Sequence, residues 1–458
     1  MLITTQDNWE AAKVNLRLLK YNVKGKLMKI LFIMPSVHRE GVERVKPFWL
    51  PPLGLATIAA HIPKDIDVEI VDENIEDIDY NAAVDIVGIS CMTSQAYHAY
   101  AIAREFQKRN VIVAIGGYHP SAVPNEAAEH ADAVMIGEGE VIWQSLVNDY
   151  RNNCVKKFYY HEDGFPALCG LPEPRRDLLP NGYQMMNTIQ TARGCPYACE
   201  FCNVSTFFGR KYRVKPVDEV VNEVKSMKER YGNLFFFVDD EITADAKRSI
   251  ELFKALTPLN IRWWSQATLR NMTTNPDVMK YAKESGCFIV VIGLETINEK
   301  NMLNMNKAHN LISNYEEQIA KIQENGIYIN PSFTFGHDND TEETFDSIFD
   351  FINKNRIPMA TFNIVTPLPN TEFYERLKRE NRIFDNDWSK YNMGNCVFHP
   401  KSMTAESLNN CFQEFGRRFY SIYEISRRMS YVEKEDRKLL YGFNIGYKNM
   451  LDKFGVMM

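Results

Sequence analysis

The chain has 458 residues, 45% of them hydrophobic, which is enough for two or three domains that each bury a core. Its formal net charge of -6 offers phosphate backbones no general attraction, so nucleic acid is not expected as a partner. No apolar run approaches the ~20 residues that span a bilayer, and the N-terminus lacks the apolar core and cleavage site of a secretory signal. A transmembrane segment is therefore not expected, and the reducing cytoplasm is the expected compartment for the nine cysteines.

Residues 1–28 form a basic extension in which Trp9, Ala12, Leu16 and Leu19 share one helical face. It reads as a docking helix, with a peripheral helix on a membrane surface as the sharper alternative. From Lys29 short apolar strands alternate with amphipathic helices: strands are expected at Ile30 to Met34, Val68 to Val71, Ile86 to Cys91, Val111 to Ile115 and Ala133 to Ile136. Gln95 to Arg109 and Ser121 to His130 are two of the helices between them. The pattern predicts an α/β fold, with a five-stranded Rossmann-like parallel sheet over residues 29–154 and ligands at the carboxyl ends of its strands.

Residues 155–186 hold Pro166, Pro172, Pro174 and Pro180 among glycines, and read as a linker. Alternation resumes with strands near Thr188 to Thr191, Leu234 to Val238, Ile261 to Gln266, Phe288 to Ile292, Tyr328 to Phe335 and Thr361 to Val365. Six such strands fit a partial (β/α)6 barrel over 187–369. The rest, 370–458, reads as mainly helical, with Ala405 to Met429 the longest helix and a helical cap over the barrel mouth expected.

One loop concentrates the chemistry. Arg193-Gly194-Cys195-Pro196-Tyr197-Ala198-Cys199-Glu200-Phe201-Cys202 follows a predicted strand and spaces three cysteines as Cys-x3-Cys-x2-Cys. A cubane cluster has four irons, so three thiolates leave one iron open to a small molecule. Structural zinc is the alternative, but it wants four ligands, and no further Cys or His lies nearby in sequence. Cys91 and Cys287 fall in or beside apolar strands and are expected to pack as small hydrophobes.

This loop resembles the hallmark of the radical S-adenosylmethionine (radical SAM) superfamily, and the resemblance covers roughly Asn187 to Pro369. It implies a [4Fe-4S] cluster on Cys195, Cys199 and Cys202 whose open iron chelates S-adenosylmethionine, and reductive cleavage to methionine and a 5'-deoxyadenosyl radical. Such an enzyme draws its electron from a flavodoxin- or ferredoxin-type donor. The resemblance further implies S-adenosylmethionine contacts at Phe201 near the adenine, and at Asp240 and Glu241, within Asp239-Asp240-Glu241, for the methionine ammonium. Glu295 would take the ribose hydroxyls, and Gly336 would admit close approach of the adenine.

The preceding sheet resembles the cobalamin-binding domain of one branch of that superfamily. Pro51-Pro52-Leu53-Gly54-Leu55, Gly116-Gly117-Tyr118-His119-Pro120 and Gly137-Glu138-Gly139-Glu140 match that branch at the corresponding strand ends. Cobalamin contacts are thereby implied at Gly116, Gly117, Gly137 and Gly139. The Asp-x-His-x-x-Gly motif that supplies a cobalt ligand in cobalamin-dependent mutases is reduced to His38 and Gly41 in Ser36 to Gly41, leaving His38 a tentative ligand without its orienting carboxylate. His119 is expected to shape its loop. The region after Pro369, through Phe384-Asp385 and Trp388, is similar to members that include hopanoid-lipid methylases.

The expected activity is a cobalamin-dependent methylation of an unactivated carbon in a small-molecule or lipid substrate. Radical rearrangement or cyclisation without methyl transfer, and a non-catalytic cluster or corrinoid carrier, are the alternatives. No Ser/His/Asp arrangement is needed for this chemistry, and none is evident.

Overall fold

The computed structural model describes residues 27–36, 50–162, 164–307 and 311–454. The N-terminal amphipathic segment and His38 lie outside the described residues. The chain forms two compact units. The first includes Pro51–Pro166 and Gly170–Tyr183, and the second includes Ala167–Cys169 and Gln184 onward.

The first unit is built on strands β1 (Met28–Met34), β2 (Ile66–Asp72), β3 (Ile86–Ser90), β4 (Ile112–Gly116), β5 (Ala133–Met135) and β6 (Phe158–Tyr159). All pair in parallel in the order β2-β1-β3-β4-β5-β6. A parallel sheet covered by helices on both faces needs strands that are apolar throughout. Accordingly Ile30, Leu31, Phe32 and Ile33 of β1 are all buried. Strand order reverses between β1 and β3, the switch point at which open sheets of this kind bind ligands.

The sheet has six strands where the sequence predicts five. The extra strand comes from the segment read as linker, and its two residues are too few for any periodicity to show. Backbone bonds of 2.8 Å from Val134 N to Lys157 O and from Ile136 N to Tyr159 O hold it.

The second unit contains β7 (Thr188–Ile189), β8 (Ala192–Arg193), β9 (Arg213–Val214), β10 (Leu234–Phe237), β11 (Arg262–Ala267), β12 (Cys287–Glu295), β13 (Tyr328–Phe335) and β14 (Thr361–Ile364). Six of them form one parallel sheet in the order β14-β13-β12-β11-β10-β7, with helices between successive strands, while β8 and β9 make a separate antiparallel pair. Cys91 and Cys287 are buried core residues.

The C-terminal region is helical, but its course differs from the expected one. The helix over Ala405–Phe419 ends before Ser421, whose side chain caps a new helix at Ile422–Met429. Phe412, Phe415 and Phe419 pack edge-to-face against Phe335 and Phe362, so the first of these helices runs along β13 and β14. The last helix, Arg437–Phe454, and the segment just before it meet the amino-terminal halves of the strands. Phe443 lies 5.5 Å from Trp264, Arg262 pairs with Asp436 at 2.5 Å, and the Tyr328 hydroxyl accepts from Glu433 N at 3.0 Å. The helix packs there because Trp264 and Phe288 leave an aromatic surface at that end that must be covered.

Candidate active site

The cysteine loop leaves the carboxyl end of β7 and is enclosed by the β8–β9 pair. At its neck Gly194 has φ +85°, and a Cβ there would stand 2.6 Å from the Lys211 carbonyl oxygen. Only glycine lets the two backbones cross so closely.

All three thiols are unpaired and half-buried. Burial pushes Cys195 up to about 12, and the charges of Glu241 and the other two thiols add to this. It pushes Cys199 up to about 11, with Lys307 opposing, and raises Cys202 as well. The thiols therefore lie close enough to feel one another. Among the described residues no three Cys, His, Asp or Glu side chains converge as ligands of a single ion would. A tetrahedral zinc ion needs its sulfurs all ~2.3 Å from one centre, whereas a cubane gives each thiolate its own iron. Three neighbouring thiols on one loop fit a cluster that gives each its own iron.

Behind the loop stand the carboxylates that follow β10. Asp239 is fully buried and already engaged: it accepts from Thr191 N at 2.6 Å and Ala192 N at 3.1 Å, and the Thr191 hydroxyl bonds its other oxygen. It braces the start of the cysteine loop. Asp240 accepts from Gly194 N at 3.1 Å and faces the charge of Arg193. Glu241 accepts from the backbone N of Thr243 at 3.0 Å and from its hydroxyl. Burial raises Asp240 to about 6 and Glu241 to about 7. Desolvated carboxylates of this kind gain most from a cationic partner.

Glu295 ends β12 with φ +63°, where the pairing with β13 slips register. A non-glycine residue held in this region is strained and is found where the surroundings over-determine it. Its Oε1 receives a 2.6 Å ion pair from Lys307, and both side chains are buried. Burial opposes the lysine charge, but Glu295 and Cys199 outweigh it and its pKa is raised. Lys307 thus stands as a cation beside both Glu295 and the loop cysteines. The sequence gives no sign of it, since Asn306-Lys307 reads as an ordinary polar loop.

At the end of β13, Gly336 has φ +100° and donates to Asp340 Oδ2 at 2.9 Å, as does His337 N. Burial lifts Asp340 to about 7 and lowers His337 to about 4, so this histidine is neutral. A narrow crevice beside Phe201 is lined also by Glu200, His337, Asp338, Val365 and Arg376. The structure therefore brings together Phe201, the strand-end carboxylates, Glu295 and Gly336 at the carboxyl edge of one sheet, around the three thiols.

In the first unit, Gly116 ends β4 and Gly117 follows with φ +97°. A Cβ on Gly117 would lie 2.8 Å from the Cys91 carbonyl oxygen, so this glycine is demanded by its own neighbours. Gly137 follows β5 with φ +83°, donates to Ser121 Oγ at 2.9 Å, and has open space where a Cβ would go. Gly139 opens the helix Gly139–Arg151, with Ile58 packed against it. His119 is completely buried, 3.2 Å from the Tyr100 hydroxyl.

Comparisons with known proteins agree with this geometry. Residues 189–352 match the model of the radical SAM superfamily, and 45–147 match that of the B12 binding domain. Together they define a radical S-adenosylmethionine enzyme that carries a B12-binding domain. The chain is 33% identical over 388 residues to bacteriochlorophyllide d C-12(1)-methyltransferase of Chlorobaculum tepidum, which covers 82% of this chain and 84% of that protein. It is 30% identical to hopanoid C-2 methylase of Rhodopseudomonas palustris, over 80% of this chain and 72% of that one. Its fold is that of the radical S-adenosylmethionine methyltransferase TsrM of Kitasatospora setae, with TM-score 0.64 and 14% identity over 90% of this chain and 92% of that chain. The chain belongs to the family of cobalamin-dependent radical S-adenosylmethionine methyltransferases.

Proposed function

We propose that this enzyme methylates an unactivated carbon of a large, mainly apolar ring system. The observation that carries the reading is the three-thiol loop at the barrel's carboxyl edge, in a chain that also has a B12-binding domain. Two relatives named for a bacteriochlorophyllide and for hopanoids support the choice of substrate class.

Cys195, Cys199 and Cys202 are the residues that would hold the [4Fe-4S] cluster, which supplies the electron and the open iron for cleaving S-adenosylmethionine. Asp240 and Glu241 receive the ammonium of that molecule, because both follow β10 beside the cysteine loop and their burial favours a cationic partner. Glu295 accepts the ribose hydroxyls with Oε2, since Lys307 engages Oε1. Phe201 and Gly336 are the residues the resemblance assigns to the adenine, and Gly336 keeps the positive φ that only glycine adopts easily. In the first unit Gly116, Gly117, Gly137 and Gly139 form the edge that would take cobalamin, the group that supplies the methyl transfer. The electron comes from a flavodoxin- or ferredoxin-type donor, in the reducing cytoplasm where nine unpaired cysteines persist. No described helix is long and apolar enough to cross a membrane, and a lipid-like substrate would be met at a membrane surface.

The test is turnover of the reduced holoenzyme with methyl-deuterated S-adenosylmethionine and candidate tetrapyrroles or polycyclic lipids. Label in the product is expected. A product formed without label would mean rearrangement or cyclisation, and no 5'-deoxyadenosine at all would leave only a carrier.

A further inference from the structure

The cysteine loop is fastened to parts of the chain far from it in sequence. Glu200, between Cys199 and Cys202, accepts two hydrogen bonds from Arg376. One runs from Nε to Oε1, and the other from Nη2 to Oε2 at 3.2 Å. Arg376 lies on the helix Glu372–Arg379, beyond the last barrel strand. Its Nη1 also donates to Asp338 Oδ2 at 3.2 Å, in the segment after β13. Asp338 is held in turn by Arg382 at 2.9 Å and Lys401 at 3.1 Å, and these cations keep it ionised against its burial.

The backbone of the loop is tied on both sides of Cys199. Glu200 N donates to Met305 O and Phe373 N to Glu200 O, each at 3.0 Å, and Asn306 Nδ2 donates to Ala198 O at 3.0 Å. The Glu200 side chain is one-tenth exposed and Arg376 one-quarter, so this pair is shielded well beyond an ordinary surface ion pair. A bidentate guanidinium–carboxylate bond fixes direction as well as distance.

We propose that Arg376, through Glu200, is a positioning residue for the iron–sulfur cluster: it presets the spacing of Cys199 and Cys202 so that the loop meets the cluster already shaped. The inference rests on the reading that Cys195, Cys199 and Cys202 carry the cluster. No other function of Glu200 is called for, since its carboxylate is consumed by the pair. The physical reason for such a clasp is that three ligands on an eight-residue loop would otherwise lose backbone freedom when the cluster binds, and a loop ordered beforehand avoids that cost.

The experiment uses the full chain, reconstituted anaerobically, and follows iron released to a ferrous chelator together with the paramagnetic resonance spectrum of the reduced cluster. Arg376→Gln and Glu200→Gln should each speed iron release by roughly ten-fold or more, as loss of groups behind a metal's ligands usually does, and should broaden the spectrum. The double variant should release iron no faster than either single one, because the two residues act as a unit. Arg376→Lys keeps the charge beside Asp338 but cannot span both oxygens of Glu200. It should fall between wild type and Arg376→Gln, and it carries the test should Arg376→Gln not fold. Arg418→Gln, which breaks an exposed pair with Asp346, should behave as wild type. Unchanged release in both single variants would overturn the proposal. So would a double variant whose effect is the product of the singles, or an equal acceleration in Arg418→Gln. Methyl transfer is not read in this experiment, so a failure of the substrate assignment leaves it standing.

Discussion

At the carboxyl edge of the barrel sheet the candidate residues are thiols and carboxylates, whereas at the edge of the first sheet they are glycines. The structure gives these two kinds of signal different weight. A half-buried thiol among other thiols has no packing purpose, so the three cysteines point directly at chemistry. A glycine can be required by the protein alone. Gly117 is needed by the Cys91 backbone, which accounts for it without any ligand, while a Cβ on Gly139 would meet only the end of the Ile58 side chain. Of the four glycines at that edge, Gly137 combines a left-handed backbone with empty space beyond it. The carboxylates fall between these cases: Asp239 braces the start of the cysteine loop, Glu241 is held by Thr243, and both Asp240 and Glu241 are buried at the strand end, where a cationic partner would be favoured.

The largest effect belongs to the thiols. Cys199→Ala should abolish formation of 5'-deoxyadenosine and lower the iron content, while circular dichroism of the apo-protein stays that of the wild type. Because Cys199 is half-buried, truncating it leaves little cavity to cost stability. Full turnover by this variant would remove the distinction between the two edges.

Next comes Glu241. Its carboxyl is pushed up to about 7, first by burial, so it is largely protonated in acid and becomes an anion as pH rises. Affinity for S-adenosylmethionine should therefore increase between about pH 5.5 and 7.5, below the titration of an α-amino group near 8. Glu241→Gln should weaken binding by about ten-fold at the upper end, the worth of a hydrogen bond to a charged group, and should flatten the pH profile. Isothermal titration across that range reads both. A Glu241→Gln profile as steep as the wild type would assign the step to another group.

How far the sequence speaks depends on whether a signal is local. The strands are legible because long apolar runs such as Ile30 to Ile33 have one reading, and the cysteine spacing is legible because three ligands share one loop. β6 is not, since a two-residue strand flanked by polar residues has no period. Lys307 and Arg376 are not, because each matters only through partners across the fold: Glu295 and Cys199 for the first, Glu200 for the second. The break in the C-terminal helices is local, at Ser421, but an amphipathic pattern continues through it and hides it. The position of the last helix at the amino-terminal ends of the strands depends on Trp264 and Phe443 meeting, which no single segment announces.

The glycines of the first sheet allow a finer test. Gly117→Ala adds a Cβ 2.8 Å from the Cys91 carbonyl oxygen at φ +97° and ψ -168°, a backbone region close to glycine-only. Backbone strain of about 1–3 kcal/mol is expected there, with the steric contact added, and a clear fall in the unfolding midpoint should follow whether or not a corrinoid is bound.

Gly137→Ala should behave otherwise. Its φ of +83° carries the left-handed cost of roughly 1–2 kcal/mol, but among the described residues no atom beyond its chain neighbours lies within 4 Å of the added methyl, so they add no clash to the strain. The hydrogen bond from Gly137 N to Ser121 Oγ involves the backbone alone and survives the substitution. If the space beyond Gly137 is where the macrocycle lies, the methyl group meets it there, and the affinity for hydroxocobalamin should drop by more than the loss of stability explains. Equilibrium binding to the full chain, compared between Gly137→Ala and Gly117→Ala at matched folded fraction, separates the two edges of the argument. A variant at 137 that binds hydroxocobalamin as the wild type does would make this glycine, like Gly117, a requirement of the loop alone.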